Sequence, residues 1–248
     1  MSEIKFRSDI GVELIPDNCC GSDRIIAAAA WAEHPSKLSA SRDDTPSGHA
    51  RVINSCVKLG HNSPTEQGQM CVYAEMPGVA WWQLTRQRFM SLDTEDFSFD
   101  LESGRYKRLE PEFYVPPEDR PTREPDGFKA MRPELLSDVN TQQAVHYAVR
   151  VVSHHAWEHY SELLAAGVAR EVARCVLPNW ALYCDGWVTG KVLTWLQFFS
   201  KRNRTPDTAV PTFPAWEIEE FCRKCEALFA ARWPETYRSF IANGRKAP

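Results

Sequence analysis

Between Gly60 and Tyr114 the chain gathers side chains suited to holding a small anion. His61, Ser63 and Glu66 follow a glycine. Gln83-x-x-Arg86-Gln87-Arg88-x-x-Ser91 comes next, and Ser103-Gly104-Arg105-Tyr106 completes the set. Guanidinium groups grip phosphate oxygens through paired, charge-assisted hydrogen bonds, and a serine beside a glycine adds a hydroxyl and accessible main-chain donors. His61, Ser63 and Glu66 alone would be ordinary turn chemistry. The arginines beside them make this stretch the place to look for function.

Other constellations carry less. His155 and His159 are four apart, but Glu158 stands on the wrong side for a zinc-protease helix, so a solvated helix face is the simpler reading. Cys222-x-x-Cys225 lies in EIEEFCRKCEALF, which reads as continuous helix and has neither a second Cys pair nor a nearby His. We therefore expect no metal site. No G-x-S-x-G, dinucleotide-binding glycine pattern or P-loop occurs, which removes the serine hydrolase, Rossmann and NTPase readings. The eight cysteines are scattered, as reduced thiols are, and none has the Pro-Cys-His setting of a cysteine nucleophile.

The composition bounds the answer. With 43% hydrophobic and 25% charged residues the chain reads as globular, and a net charge of −4 gives no electrostatic footprint for duplex nucleic acid. No window approaches the ~18 apolar residues of a membrane span, and the start MSEIKFRSDIGVELI has no signal-peptide core. The expectation is a cytoplasmic protein without membrane contact.

The elements that must position these residues can be read in order. Residues 1–20 are strand-like, and RIIAAAAWAE is a helix with Ser22 or Asp23 as its N-cap. Residues 34–50 form a loop. The spacing from Ala50 predicts a helix stopping at Gly60, which delivers His61, Ser63 and Glu66 into a turn. Gln69–Met76 alternates as a strand, and Val79–Phe89 returns to a helical period that puts Gln83 and Arg86 on one face. An acidic loop and an extended KRLEPEFYVPP follow, then the proline-rich internal loop 117–133. The remainder reads as helices: one ending at Gly167, one stopping at Pro178, one over roughly 186–201 and one over roughly 215–232. The result is a single α+β domain over 1–248, an antiparallel sheet core packed with helices and a mostly helical carboxyl half.

Taken together, the motifs resemble the flavin-dependent thymidylate synthase family, ThyX. That family carries H-x-[ST]-x-x-E-H, then Q-x-x-R-H-R-x-x-S-x-N-E-x-S-x-R-Y and an E-F-Y-x-P segment, here Glu112-Phe113-Tyr114-Val115-Pro116. Glu171-Val-Ala-Arg174-Cys-Val-Leu177-Pro178 is similar to its E-x-A-R-x-x-L-P, and Ala215-Trp216-Glu217-Ile218 to its A-Q-x-E-I. The resemblance runs in one order over roughly residues 50–240.

It implies a homotetramer with shared active sites that binds FAD and methylates dUMP at C5, with methylenetetrahydrofolate as carbon donor and NADPH as reductant. No cysteine attacks the pyrimidine in that chemistry. Carried over, Gln83, Arg86, Ser103, Gly104, Arg105, Arg174 and Arg202 hold the nucleotide. His61, Ser63, Glu66, Arg86, Gln87, Arg88 and Gln197 contact the flavin, and Arg86, Arg202 and Glu102 act in catalysis.

The chain departs from the pattern in several places. The family's R-H-R is Arg86-Gln87-Arg88, its E-H is Glu66-Gln67, and Glu33 stands where a flavin-contacting serine is expected. TEDFSFDLE interrupts the N-E-x-S step, leaving Glu95 or, as preferred here, Glu102 as the family's glutamate. Gly190 or Lys191 falls where an asparagine is expected, and Arg202 or Lys201 matches the later arginine. These changes leave open methylation or hydroxymethylation of another pyrimidine nucleotide such as dCMP, or nucleotide binding without catalysis.

Overall fold

The computed structural model describes residues 3–38, 42–86, 97–127, 134–206 and 208–247. The contacts gather into two compact units. The first comprises Met1–Ile10, Glu75–Trp82 and Leu101–Asp185, and the second Gly11–Ala74, Gln83–Asp100 and Gly186–Pro248.

In the first unit, β1 (Lys5–Arg7) pairs in parallel with β5 (Glu112–Tyr114), Phe6 standing opposite Phe113. The long helix α4 (Val139–Ala165) starts where the Asp138 carboxylate accepts from Thr141 N at 2.9 Å. Its Trp157 and Tyr160 pack with Phe113, Leu109, Leu177 and Leu182 into this unit's core. The short helix α5 (Arg170–Ala173) runs into a 3-10 turn at Arg174–Val176.

In the second unit, α1 (Asp23–Ala30) is capped by Ser22, whose hydroxyl accepts from Ile25 N. Thr45 caps α2 (Pro46–Leu59) with Pro46 in its first turn, and α2 ends at Gly60 in the left-handed conformation, φ 73°. That φ suits glycine, and the turn sends His61 N back to Cys56 O at 2.9 Å. The carboxyl-terminal helices are α6 (Val192–Arg202), α7 (Trp216–Arg232) and α8 (Pro234–Ala242). Their shared faces carry fully buried Trp195, Phe198, Phe199, Phe221, Phe229 and Trp233. Helix α3 (Gly78–Thr85) follows β3 (Gln69–Pro77), and β2 (Gly11–Leu14), β3, β6 (Tyr183–Lys191) and β4 (Ser98–Leu101) make a four-stranded antiparallel sheet in that order. The α+β class and the helical carboxyl half are as the sequence indicates.

Three local expectations need correction, and one helix was not anticipated. Residues 186–191 belong to β6 and the helix begins only at Val192, because Gly186 and Gly190 disfavour a helix while Trp187, Val188 and Thr189 suit a pleat. Gly190 is also required by packing, since a Cβ there would lie 2.6 Å from the Phe97 ring. Residues 98–101 of the supposed acidic loop form β4, anchored by Phe97, which is buried with its ring 4.5 Å from that of Trp195. The loop over 34–50 already contains a 3-10 turn at Pro35–Lys37 and the start of α2. Helix α8 escapes the sequence reading because its N-cap partner is remote: the Asp23 carboxylate accepts from Glu235 N at 2.8 Å and Thr236 N at 3.0 Å. The residues from Gln87 to Phe89, expected to continue α3, lie outside the described residues.

Candidate functional site

The first unit holds Glu102, Ser103, Gly104, Arg105 and Arg174. Glu102 N donates to Asp185 O at 2.8 Å, which extends the hydrogen bonding past the end of β4 and fixes the start of the following turn. Within the turn Tyr106 N donates to Ser103 O at 3.1 Å, and the Ser103 hydroxyl accepts from Arg105 N at 3.4 Å. Gly104 is buried against Leu109; an added Cβ would approach its side chain to 3.1 Å. Leu109 belongs to the core of this unit, so the turn is seated on packed side chains.

Charge is concentrated here. Arg105 Nε lies 3.0 Å from Glu171, with both side chains more than half exposed, and Lys107 Nζ lies 2.9 Å from Glu102, whose carboxylate is largely covered. The carboxylate raises the Lys107 pKa above its ordinary value, chiefly through the hydrogen bond. Burial, reinforced by Glu102 and Asp185 and opposed by Arg174 and Lys107, pushes the Cys184 thiol up to about 11. Arg174 and Lys107 therefore share one neighbourhood with Glu102. Lys107 was missed in the sequence; its only signal is a lysine directly after Ser-Gly-Arg-Tyr, five residues beyond the acid it meets.

The second unit holds His61, Ser63, Glu66, Gln83, Arg86, Gln197 and Arg202. Ser63–Glu66 is a 3-10 turn, closed by Thr65 N to Asn62 O at 2.9 Å and Gln67 N to Pro64 O at 3.2 Å. It brings His61, Ser63 and Glu66 together at the end of α2, the first two exposed and Glu66 half-buried. Gln83 is in α3 and Arg86 is exposed just beyond its end, while Gln87 and Arg88 lie outside the described residues.

Helix α6 supplies the feature that points to a ligand. Gln197 Oε1 and Arg202 Nε are buried and have no hydrogen-bond partner among the described residues. Buried polar groups are ordinarily paired, so an acceptor and a donor left over on one helix ask for a polar guest. The Arg202 pKa is held below its ordinary value first by burial, with a smaller contribution from the nearby positive charge of Arg86. These two arginines are thus brought near each other, as a site for an electron-rich or anionic group requires. Lys201, the alternative match, is exposed. Donors at Arg86 and Arg202 and the acceptor at Gln197 fit the polar ring edges of a flavin or a pyrimidine.

The set-aside motifs remain apart from this chemistry. His155 and His159 lie on an exposed face of α4, 3.5 Å from Glu158 and 3.1 Å from Glu162. Cys222 and Cys225 are buried in α7, and burial pushes both thiols well above the ordinary range.

Comparison with known proteins gives this arrangement its context. The sequence pattern of the thymidylate synthase complementing protein family matches residues 14–235. The chain is 35% identical over 244 residues to the flavin-dependent thymidylate synthase of Streptomyces avermitilis, covering 98% of this chain and 95% of that protein. It is 33% identical to the same enzyme of Streptomyces coelicolor, covering 99% and 96%. Among solved structures, the UMP/dUMP methylase PolB from Streptomyces cacaoi, bound with 5-Br UMP, aligns with a TM-score of 0.85 at 30% identity over 99% of this chain and 100% of that one. Fold and similarity together define the class, a nucleotide methylase with an α+β fold. The chain belongs to the thymidylate synthase complementing protein family, that of the flavin-dependent thymidylate synthases.

Proposed function

We propose that the protein is a flavin-dependent thymidylate synthase that methylates dUMP at C5 to give dTMP. The observation that carries the reading is the buried pair on α6, Gln197 Oε1 and Arg202 Nε, without a partner among the described residues, in a chain of this family. Methylenetetrahydrofolate would donate the carbon, and bound FAD would supply hydride chemistry, with NADPH as reductant. The cofactor would be held by His61, Ser63, Glu66, Arg86, Gln87, Arg88 and Gln197. Ser103, Gly104, Arg105 and Arg174 hold the phosphate through hydroxyl, main-chain and guanidinium donors, and Gln83 adds a contact to the nucleotide.

Arg86 and Arg202 face the pyrimidine carbonyls and stabilise the negative charge that builds there as C5 becomes nucleophilic. Such stabilisation is effective because the groups are fixed before reaction. Glu102 orients the nucleotide, with Lys107 balancing its charge. The reading needs no cysteine nucleophile, and burial pushes the thiol of Cys184, in the Glu102 neighbourhood, up to about 11. The working form is a cytoplasmic homotetramer, and 1–248 acts as one catalytic domain.

A second reading is favoured by the likeness to PolB, a UMP/dUMP methylase: the substrate is UMP, or either nucleotide. Incubation with FAD, NADPH, methylenetetrahydrofolate and each of dUMP, UMP and dCMP, with products weighed by mass spectrometry, separates these. A methylated product from dUMP is expected. Product from UMP, with or without product from dUMP, selects the second reading, and a hydroxymethyl product would show transfer without the final reduction. A protein that stays colourless after soaking in FAD would defeat every flavin-enzyme reading and leave a nucleotide-binding role.

A further inference from the structure

Helix α6 ends in the basic run Lys201-Arg202-Asn203-Arg204, and α7 meets that run with buried acids. Glu219, 5% exposed, accepts from Arg204 N at 3.0 Å and from Arg204 Nη2 at 3.4 Å. Two turns further along, Glu226 accepts from Asn203 Nδ2 at 2.6 Å and from the Tyr237 hydroxyl at 2.9 Å. Its two oxygens also accept from both terminal nitrogens of Arg245, at 2.6 and 2.7 Å. Glu226 and Arg245 are each 4% exposed, so this is a fully covered fork-to-fork pair.

Arg245 reaches the pair from beyond α8 with φ 57°, a left-handed conformation that a residue with a side chain rarely adopts. The preceding Gly244 accepts from Ala209 N at 2.8 Å, which ties the same short segment to the chain downstream of α6. Two features make the end of α6 depend on this arrangement. The main-chain bond closing the helix, Asn203 N to Phe199 O, is long at 3.3 Å, whereas the Asn203 side chain is held at 2.6 Å. Arg202 immediately precedes Asn203, and its Nε has no partner among the described residues. Arg245 also lies outside residues 14–235, the span matched by the family pattern.

We propose that Glu226 and Arg245 form a clamp on Asn203 that positions Arg202 for the nucleotide, making Arg245 a positioning residue of the site. The proposal rests on Arg202 contacting the nucleotide, as given above. The clamp works at one remove: it touches neither nucleotide nor flavin, and acts by denying the last turn of α6 the freedom to fray.

The test uses FAD-loaded protein and a double-mutant cycle. One arm is Glu226→Met with Arg245→Met, which removes both charges together and strands neither in the interior. The other arm is Arg202→Ala, and the triple variant closes the cycle. Affinity for dUMP is read by calorimetry, and amide exchange over 201–204 by mass spectrometry. The clamp variant should bind dUMP roughly tenfold more weakly, exchange faster over 201–204 with α1 and α2 unchanged, and add nothing to the loss from Arg202→Ala. Arg245→Lys, which keeps a charge pair, should recover part of the affinity.

Additive losses, or unchanged exchange at the end of α6, would overturn the clamp while leaving the proposed function standing. If Arg202→Ala binds dUMP like the parent, the assignment of Arg202 itself fails and the clamp falls with it. Should the double variant not fold, Asn203→Ala, which releases the clamp's grip and leaves the Glu226–Arg245 charges paired, enters the same cycle with the same readings.

Discussion

Arg105 Nε lies 3.0 Å from the Glu171 carboxylate while more than half of each side chain stays exposed. A pair so exposed contributes about 0–1 kcal/mol, whereas hydrogen bonds to a charged group such as phosphate contribute about 1.5–3 kcal/mol. Under the proposed function, a nucleotide phosphate would therefore win Arg105 from Glu171. Arg105→Ala should weaken dUMP binding roughly 10- to 100-fold, while Glu171→Gln should change it less than about fivefold, towards tighter binding. Calorimetric titration of both variants checks this; equal losses would mean that Glu171 itself takes part in holding the ligand. The Ser103-Gly104-Arg105-Tyr106 turn was legible because its residue types are few and contiguous. Lys107 against Glu102 was not, since that contact exists only once the turn has brought the two together. Lys201 and Arg202 are neighbouring cations on paper, and only the fold shows the first exposed and the second partly buried.

Caps and ion pairs tie the elements of the second unit to one another, and two aspartates do much of this. Asp23 stands at the start of α1 yet caps α8, accepting from Glu235 N, Thr236 N and the Thr236 hydroxyl, the last at 2.6 Å. Asp23→Ala leaves those donors unpaired in a buried setting and should cost about 2–4 kcal/mol. At about 2–4 °C per kcal/mol for a chain of this size, the melting temperature should fall by roughly 4–16 °C. A fall below about 2 °C would mean that water replaces the carboxylate. Asp44 joins α1 to α2: Arg24 of α1 donates to it at 2.9 and 2.7 Å, and His49 of α2 lies 2.8 Å away. The Arg24 hydrogen bond first, then His49, lowers its pKa from 3.8 to about 2. A depressed acid stabilises the fold above its unfolded pKa and loses that contribution as pH falls through the folded one. The melting difference between the parent and Asp44→Asn should thus hold steady down to about pH 5 and close between about 4 and 2. A gap that survives at the acid end would place the stabilisation elsewhere. At this scale, the legible features were local ones, such as Gly60 ending α2. Helix α8 and strand β6 were not legible, because the cap of α8 lies 213 residues away in Asp23 and β6 is decided by pairing with its neighbours.

Across the whole molecule, the candidate flavin residues within the described structure, His61, Ser63, Glu66, Arg86 and Gln197, all fall in the second unit, whereas Ser103, Gly104, Arg105 and Arg174 fall in the first. Flavin binding should therefore depend on the second unit's side chains and be indifferent to the first unit's arginines. A ligand at 100 times its dissociation constant stabilises the folded state by about 2.7 kcal/mol, which at about 2–4 °C per kcal/mol predicts a rise in melting temperature of roughly 5–11 °C with FAD. Arg105→Ala and Arg174→Ala should show the same rise as the parent. Gln197→Leu should lose most of it, because the buried acceptor that FAD would pair is gone, although the free protein itself should melt no lower, since that oxygen has no partner among the described residues. Differential scanning fluorimetry at matched protein concentration, needed because assembly also moves the transition, reads all four proteins. A rise abolished by Arg105→Ala but kept by Gln197→Leu would reverse the assignment and place the flavin with the first unit's residues.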